Sequence, residues 1–552
     1  MGVMALEWSG EPEKELEKIE ELKKIVYKMN VIKPGELDRH KEQTGSYILF
    51  EPRFTLLVSE GIACASLSKI KRGYEIASTC RKLLRRWKKP SPHFVENLGI
   101  LYAHLEDYRE AEYWILKSLD RVDEGTKKKL NSYLAVIYLN SGRYKKATHI
   151  LKYAELGEWA HHSWILIFRS SLFLTKGMPQ KAMSLATEAL PLSRKEELNR
   201  AIFYASFSEA CSYCSIDEKV KARRILKRIL PFLEKHKLRR EASILEILLS
   251  QTPSSRSRSA NSYFPFPNPQ LNKDFFPTVK LALFVRNGDY FKALSYAKKK
   301  YLMTYFYRYI FFSPEIVKAL LEKGKPTYLP KAILNLPVFN KETSVYNIKF
   351  LGDFIIHKNQ KYLRTKLQPK DKAFLIHLAL KAGEPGMKIS LEALYRDFWQ
   401  NSRNPSRNLS HLLVRIKKVL KIPSYLIEIS AKKDNPVLIN KGLYFTTDYN
   451  EFEQALMQAQ ALLRVGEWDF AKKEYLRTFK LFRDEPFKKM YDNWSDSVRR
   501  VILNKYESEF INFAKECIAH KDYKIARDNL EKVEKVIRYS EEIDKIKEYL
   551  GG

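Results

Sequence analysis

Apolar residues recur at helical spacing along most of the chain, and short polar turns interrupt them at regular intervals. From Phe54 one six-residue turn keeps returning: Arg72-Gly73-Tyr74-Glu75-Ile76-Ala77, then Glu106-Asp107-Tyr108-Arg109-Glu110-Ala111, then Gly142-Arg143-Tyr144-Lys145-Lys146-Ala147, and more loosely Gly177 to Ala182. Apolar helical stretches flank each turn, such as Leu98 to Leu105, Ala111 to Leu119 and Leu130 to Leu139. A degenerate unit runs from Glu197 to Lys235 with Ala222 in the alanine slot, and Gly288-Asp289-Tyr290-Phe291-Lys292-Ala293 repeats the turn again. An amphipathic helix over Glu11 to Met29 precedes the series.

Tyr74, Tyr108 and Tyr144 are 34 and 36 residues apart, which is the tetratricopeptide period. The aromatic ring wedges between paired helices and the alanine lets two helices approach closely. One such pair cannot bury its own apolar face, so pairs stack into a solenoid. Gln251 to Lys273 is rich in Ser, Pro and Asn without periodicity, and reads as a linker. Tyr301 to Phe312 is an aromatic run suited to helix packing or, alternatively, to lining a ligand pocket.

Past a Pro-punctuated stretch the apolar period falls from 3.6 to 2. Tyr346 to Phe350 and Phe354 to Ile356 read as strands around Gly352. Helices follow over Gln368 to Ala382 and Leu391 to Trp399, and a third begins at Asn404-Pro405. This third helix, Pro405 to Leu420, places Leu409, Leu413, Ile416 and Leu420 on one side and contains no carboxylate. Its other side carries Arg407, Ser410, His411, Arg415 and Lys418. Leu426 to Ser430 and Pro436 to Ile439 form a hairpin with the basic tip Ala431 to Asn435, and Gly442 to Phe445 forms a last strand. Three helices and a hairpin is the winged helix-turn-helix order. From Tyr449 helix pairs return, with Gly466 to Ala471 and Asp522 to Ala526 as their turns.

The fold expected is mainly α: a tetratricopeptide-like α-solenoid, a central winged helix-turn-helix domain with a small β-hairpin, and a C-terminal helical-repeat domain. The boundaries are a lead-in over 1–50, repeats over 51–250, the linker 251–273, a further repeat and connector over 274–342, the winged helix over 343–448 and the last helical domain over 449–552.

Charge sharpens this picture. The 552 residues carry a formal net charge of +33, which favours polyanionic partners. Residues 346–448 hold 19 Lys and Arg against 8 Asp and Glu, or +11 where the chain average gives about +6. The excess thus gathers where the motif sits. Five cysteines without a regular spacing fit a reducing compartment. The amino terminus has no secretory pattern and no apolar run is long enough to span a bilayer, so a cytoplasmic protein without a membrane partner is expected. Cys211 and Cys214 have zinc-like spacing but no second pair, and His161-His162 has no acidic or thiol partner nearby. No nucleophile elbow, HExxH or phosphate loop is present, so neither enzyme activity nor a metal or cofactor is expected.

Residues from about Tyr346 to Ile537 resemble the SARP-type bacterial transcriptional activators, in which a winged helix is fused to a bacterial transcriptional activator domain of helical repeats. The likeness rests on Phe350-Leu351-Gly352-Asp353-Phe354, on Leu391 to Trp399, on Asn408-Leu409, Leu413, Arg415, Ile416, Lys417-Lys418 and Leu420, on Gly442-Leu443-Tyr444, and on Phe452 with Gly466 to Ala471. It implies sequence-specific binding of double-stranded DNA and recruitment of RNA polymerase. Ser410 and His411 depart from the family's basic and aliphatic residues, so no target sequence follows.

The expectation is therefore a DNA-binding transcription regulator, with an activator favoured. Arg407, Asn408, Ser410, His411 and Arg415 are candidates for base edges, because a major groove admits a helix and displays distinct donor and acceptor patterns. Lys417, Lys418, Lys432 and Lys433 are candidates for phosphates, the last two from the wing. A protein or small-molecule effector at the repeats and a homodimer stay open. So does the alternative of a protein-interaction scaffold whose winged helix binds protein or RNA.

Overall fold

A computed structural model describes residues 12–28, 51–67, 69–86, 90–154, 162–195, 198–250, 275–322, 330–430, 436–537 and 539–550. The protein is mainly α-helical, with seven short strands among the described residues. It divides into two compact units, one of residues 1–176, 182–214 and 219–330, the other of 177–181, 215–218 and 331–552. The linker 251–273 lies outside the described residues, as do most of the lead-in and His161.

The first unit starts with α1 (Pro12–Lys28), α2 (Glu51–Ser66), α3 (Ile70–Arg86), α4 (Pro92–His104), α5 (Tyr108–Leu119), α6 (Glu124–Asn140) and α7 (Tyr144–Ala154). It continues through α8 (His162–Thr175), α9 (Pro179–Lys195), α10 (Asn199–Ser215), α11 (Lys219–Lys235) and α12 (Arg239–Leu249). After the linker come α13 (Pro277–Arg286), α14 (Tyr290–Lys299), α15 (Met303–Ile310) and α16 (Glu315–Glu322). Neighbouring helices pack in pairs, α2 on α3, α4 on α5 and α6 on α7. The recurring alanines Ala77, Ala111, Ala147, Ala222 and Ala293 are all fully buried, as a close helix approach demands. Gly99 serves the same end, since a Cβ there would sit 2.7 Å from Ile115 Cγ1.

The turns show why the motif wants glycine. Gly142 has φ +80°, a left-handed conformation that costs glycine little. Glu106 holds the equivalent slot at φ +59°, and its carboxylate offsets the strain. It accepts the Thr278 N–H and hydroxyl, each at 2.8 Å, and a bond from Arg240 Nη1 at 3.3 Å. Arg240 also meets Glu241, which Arg200 approaches at 3.3 Å. A buried charge cluster therefore closes the turn onto α12 and α13.

The aromatic run proves to be interior. Every residue of α15 is buried. Thr304 Oγ1 donates to the Leu139 carbonyl at 2.5 Å, and Arg308 Nη2 donates to Ser171 Oγ and, at 3.2 Å, to Ser208 Oγ. Cys211 and Cys214 are buried free thiols of α10, and Cys214 Sγ donates to the Phe311 carbonyl.

The second unit contains α17 (Lys331–Leu334), β1 (Val345–Lys349), β2 (Ile355–Lys358), β3 (Lys361–Tyr362), α18 (Pro369–Lys381), β4 (Lys388–Ser390), α19 (Leu391–Trp399) and α20 (Pro405–Leu420). Then follow β5 (Ile427–Ser430), β6 (Val437–Asn440) and β7 (Tyr444–Thr447). The helices α21 (Asp448–Arg464), α22 (Trp468–Lys480), α23 (Asn493–Ala519), α24 (Tyr523–Glu534) and α25 (Glu541–Tyr549) complete it. One sheet has the order β3-β2-β1-β7, with β1 and β7 parallel in the register Val345 to Tyr444. The other has the order β4-β6-β5. The last strand begins two residues later than the sequence suggests, because Gly442 and Leu443 form a turn. Their N–H groups donate to Asn440 Oδ1 at 3.2 and 2.9 Å.

Candidate nucleic-acid interface

Helix α20 is defined at both ends by local chemistry. The Asn404 side chain accepts the Arg407 N–H at 3.3 Å, Pro405 fills the first turn, and Lys421 ends the helix in a left-handed conformation at φ 51°. Sixteen residues make a rod of about 24 Å. Leu409, Leu412, Leu413, Ile416 and Leu420 are buried, which confirms the apolar stripe and adds Leu412 to it. At its far end the Tyr346 hydroxyl donates to the Leu420 carbonyl at 3.2 Å, fixing the helix to the first sheet.

The outer face is exposed and polar. Arg407, Asn408, Ser410, His411 and Lys418 all reach solvent. Arg407 Nε donates to His411 Nε2 at 3.3 Å, Asn408 Nδ2 to Ser402 Oγ at 2.8 Å, and Ser410 Oγ to the Ser406 carbonyl at 3.0 Å. These are weak local bonds between neighbours, readily exchanged for a ligand's. Arg403, Arg407, Lys418 and Lys421 form no ion pair among the described residues. Their positive charge is thus uncompensated among the described residues.

Two of the candidate contact residues are already bonded within the second unit. Arg415 was expected at a base edge, but its guanidinium grips the buried carboxylate of Asp371 in α18, through Nε at 3.1 and 2.9 Å and through Nη2. This places it as a strut that sets the angle of α20. The Asp371 carboxylate raises the guanidinium's already high pKa further. Lys417 was expected on phosphate, but Nζ donates to the carbonyls of Ser424 at 2.8 Å and Ile427 at 2.7 Å. It fastens the end of α20 to the start of β5, and burial lowers its pKa. Lys432 and Lys433 lie outside the described residues.

The hairpin stands directly after this helix. β5 and β6 pair antiparallel with Ile427 opposite Asn440 and Ser430 opposite Val437, and β4 adds along the other edge of β6. Asn440 is fully buried and donates from Nδ2 to the carbonyls of Ala382 at 2.7 Å and Leu443 at 2.8 Å. The base of the hairpin is therefore fixed to the end of α18.

Val414 is the surface residue that sequence reasoning missed. It is 66 % exposed and lies three residues after His411 and four before Lys418. The signal was present, since 407, 411, 414 and 418 follow the helical period around one face. Behind this region Trp494 of α23 meets the rings of His377 and Phe398 at 5.1 and 5.3 Å. His377 Nε2 is 3.1 Å from Asp397 Oδ2, and burial pushes the imidazole pKa below 6.5.

The arrangement can offer donors and a methyl surface to a groove and cations to phosphates. Among the described residues no group of three or more His, Cys, Asp or Glu is placed to hold a metal ion, and no helix is long and apolar enough to cross a membrane. In comparison with known proteins, the chain matches no protein-family model and no curated protein.

Proposed function

We propose that the chain is a cytoplasmic, sequence-specific DNA-binding transcription regulator, similar in plan to the SARP-type activators. In this reading 343–448 is a winged helix, the preceding helix pairs are a tetratricopeptide-like solenoid that receives the regulatory input, and 449–552 is the activator-type helical domain. The observation that carries it is α20: a helix anchored along one apolar stripe, exposed along the other, free of carboxylates and bearing cations that form no ion pair among the described residues. Such a rod suits the major groove, which is wide enough for a helix and edged by phosphate. Arg407, Asn408, Ser410, His411 and Val414 face the bases, while Lys418 with Arg403 and Lys421 meets the backbone. The hairpin enters or flanks the neighbouring minor groove.

Selection of bound duplexes from a random pool with the full-length protein tests this. A preferred site is expected, and its half-site pattern reports whether the protein binds as a dimer. Enrichment of no sequence, with equal binding to every duplex, would remove the reading.

A further inference from the structure

Two arginines inside the first unit are treated differently. Arg240 is met by the carboxylates of Glu106 and Glu241. Arg308 in α15 keeps only 5 % of its surface accessible, yet no carboxylate pairs with it among the described residues. Its Nη2 donates to the neutral hydroxyls of Ser171 and Ser208, its guanidinium lies 5.8 Å from the Phe207 ring centroid, and its Nε is buried without an acceptor. The Tyr309 hydroxyl, within the field of the Arg308 charge, is likewise buried without a partner.

A guanidinium cannot shed its proton to escape this position. Hydroxyls and an aromatic face solvate a cation only in part, and a buried charge without a counter-charge is strongly destabilising. Among the described residues that counter-charge is present at Arg240 and lacking at Arg308. The planar fork of an arginine matches the two oxygens of a carboxylate or the edge of a phosphate.

We propose that Arg308 anchors an oxyanion-binding site in the helical-repeat unit, which takes a carboxylate or phosphate group of a small ligand. Ser171 and Ser208 hold Nη2, and Nε, Nη1 and the Tyr309 hydroxyl are the donors left for the anion. Entry requires local opening of α15, whose eight residues are all buried, and the binding energy must exceed the cost of that opening. The proposal stands apart from DNA binding.

The test uses the full-length protein and two probes, inorganic phosphate and succinate, at matched ionic strength. Thermal unfolding and titration calorimetry are run on the wild type and on Arg308→Met. Saturable binding of one probe is expected, weakened at least about tenfold in Arg308→Met, and the responding probe reports whether the ligand group is phosphate or carboxylate. Ligand-free Arg308→Met should melt no lower than wild type, because methionine removes an uncompensated charge while keeping volume. Anions also stabilise proteins through exclusion from the surface, so an equal rise in both proteins overturns the site. So does the absence of saturable binding to the wild type. Should Arg308→Met not fold, Arg308→Lys keeps the charge without the fork. Weaker binding to it supports the site, and unchanged binding refutes it.

Discussion

Arg415 and Asp371 form a two-pronged ion pair between α20 and α18. Arg415 Nε lies 3.1 and 2.9 Å from the two carboxylate oxygens, and Nη2 reaches one of them. Asp371 is also the third residue of α18, where it accepts the Gln368 N–H at 3.3 Å in a capping box. One carboxylate therefore begins one helix and aims another.

Arg415→Ala should weaken DNA binding without changing the preferred bases, because it loosens the helix that presents them. A double-mutant cycle with Asp371→Ala should give a coupling of about 1–2 kcal/mol, held down by the 40 % exposure of the arginine side chain. Repeating the duplex selection on Arg415→Ala checks the first part. A shifted consensus would return Arg415 to the bases.

Arg407 and Lys418 should separate sharply in titration. Arg407→Ala is expected to cost about 1–3 kcal/mol on the selected site and little on random duplex. Lys418→Ala should weaken both alike and reduce the salt slope by about 1. Mobility shifts over a salt series read both.

Val414 offers a methyl surface among donors. On the proposed face it meets a thymine 5-methyl, so uracil substitution in the selected site should cost the wild type about 0.8 kcal/mol. Val414→Ser should erase that difference. Equal affinity of the wild type for both duplexes would place Val414 away from the bases.

His377 makes the second unit acid-sensitive. Burial lowers its pKa below 6.5, opposed by Asp397. The unfolded imidazole binds its proton first as the pH falls, so the stability contributed above pH 6.5 is lost on acidification through and below that value. Protonation would also place an N–H at Nδ1, a buried atom without a partner. Urea unfolding at pH 7.5 and 5.5 should show the loss in the wild type and a flatter dependence in His377→Gln.

Glu106→Ala should destabilise the first unit by about 3–5 kcal/mol, since it strands Thr278 and removes one of the carboxylates around Arg240. Glu106→Gly relieves the positive φ but not the lost bonds, and should recover under half of that cost. Urea melts of the two variants give the comparison.

Much of this organisation was legible in the chain. Asn404-Pro405 and the leucine stripe announce α20 to the residue, and the apolar runs around Ala431 to Asn435 announce the hairpin. Their signals are local, being caps and periods. Short β4 was invisible, because a three-residue strand has too little alternation to register, and its pairing with β6 is set some fifty residues away. The task of Arg415 was hidden for the same reason. Sequence places it on the polar side of α20, but its partner lies 44 residues back. The aromatic run fits core or pocket by sequence alone; α15 is wholly buried, and among the described residues no carboxylate pairs with its Arg308.

The parallel pairing of β1 with β7 bears on how the protein is made. Tyr346 of β1 waits for Phe445, so that strand edge stays bare while almost a hundred further residues leave the ribosome. Such a distant closure is slow to form. Until it does, the nascent chain exposes a sticky apolar border, and slow closure leaves it open to association with its own copies.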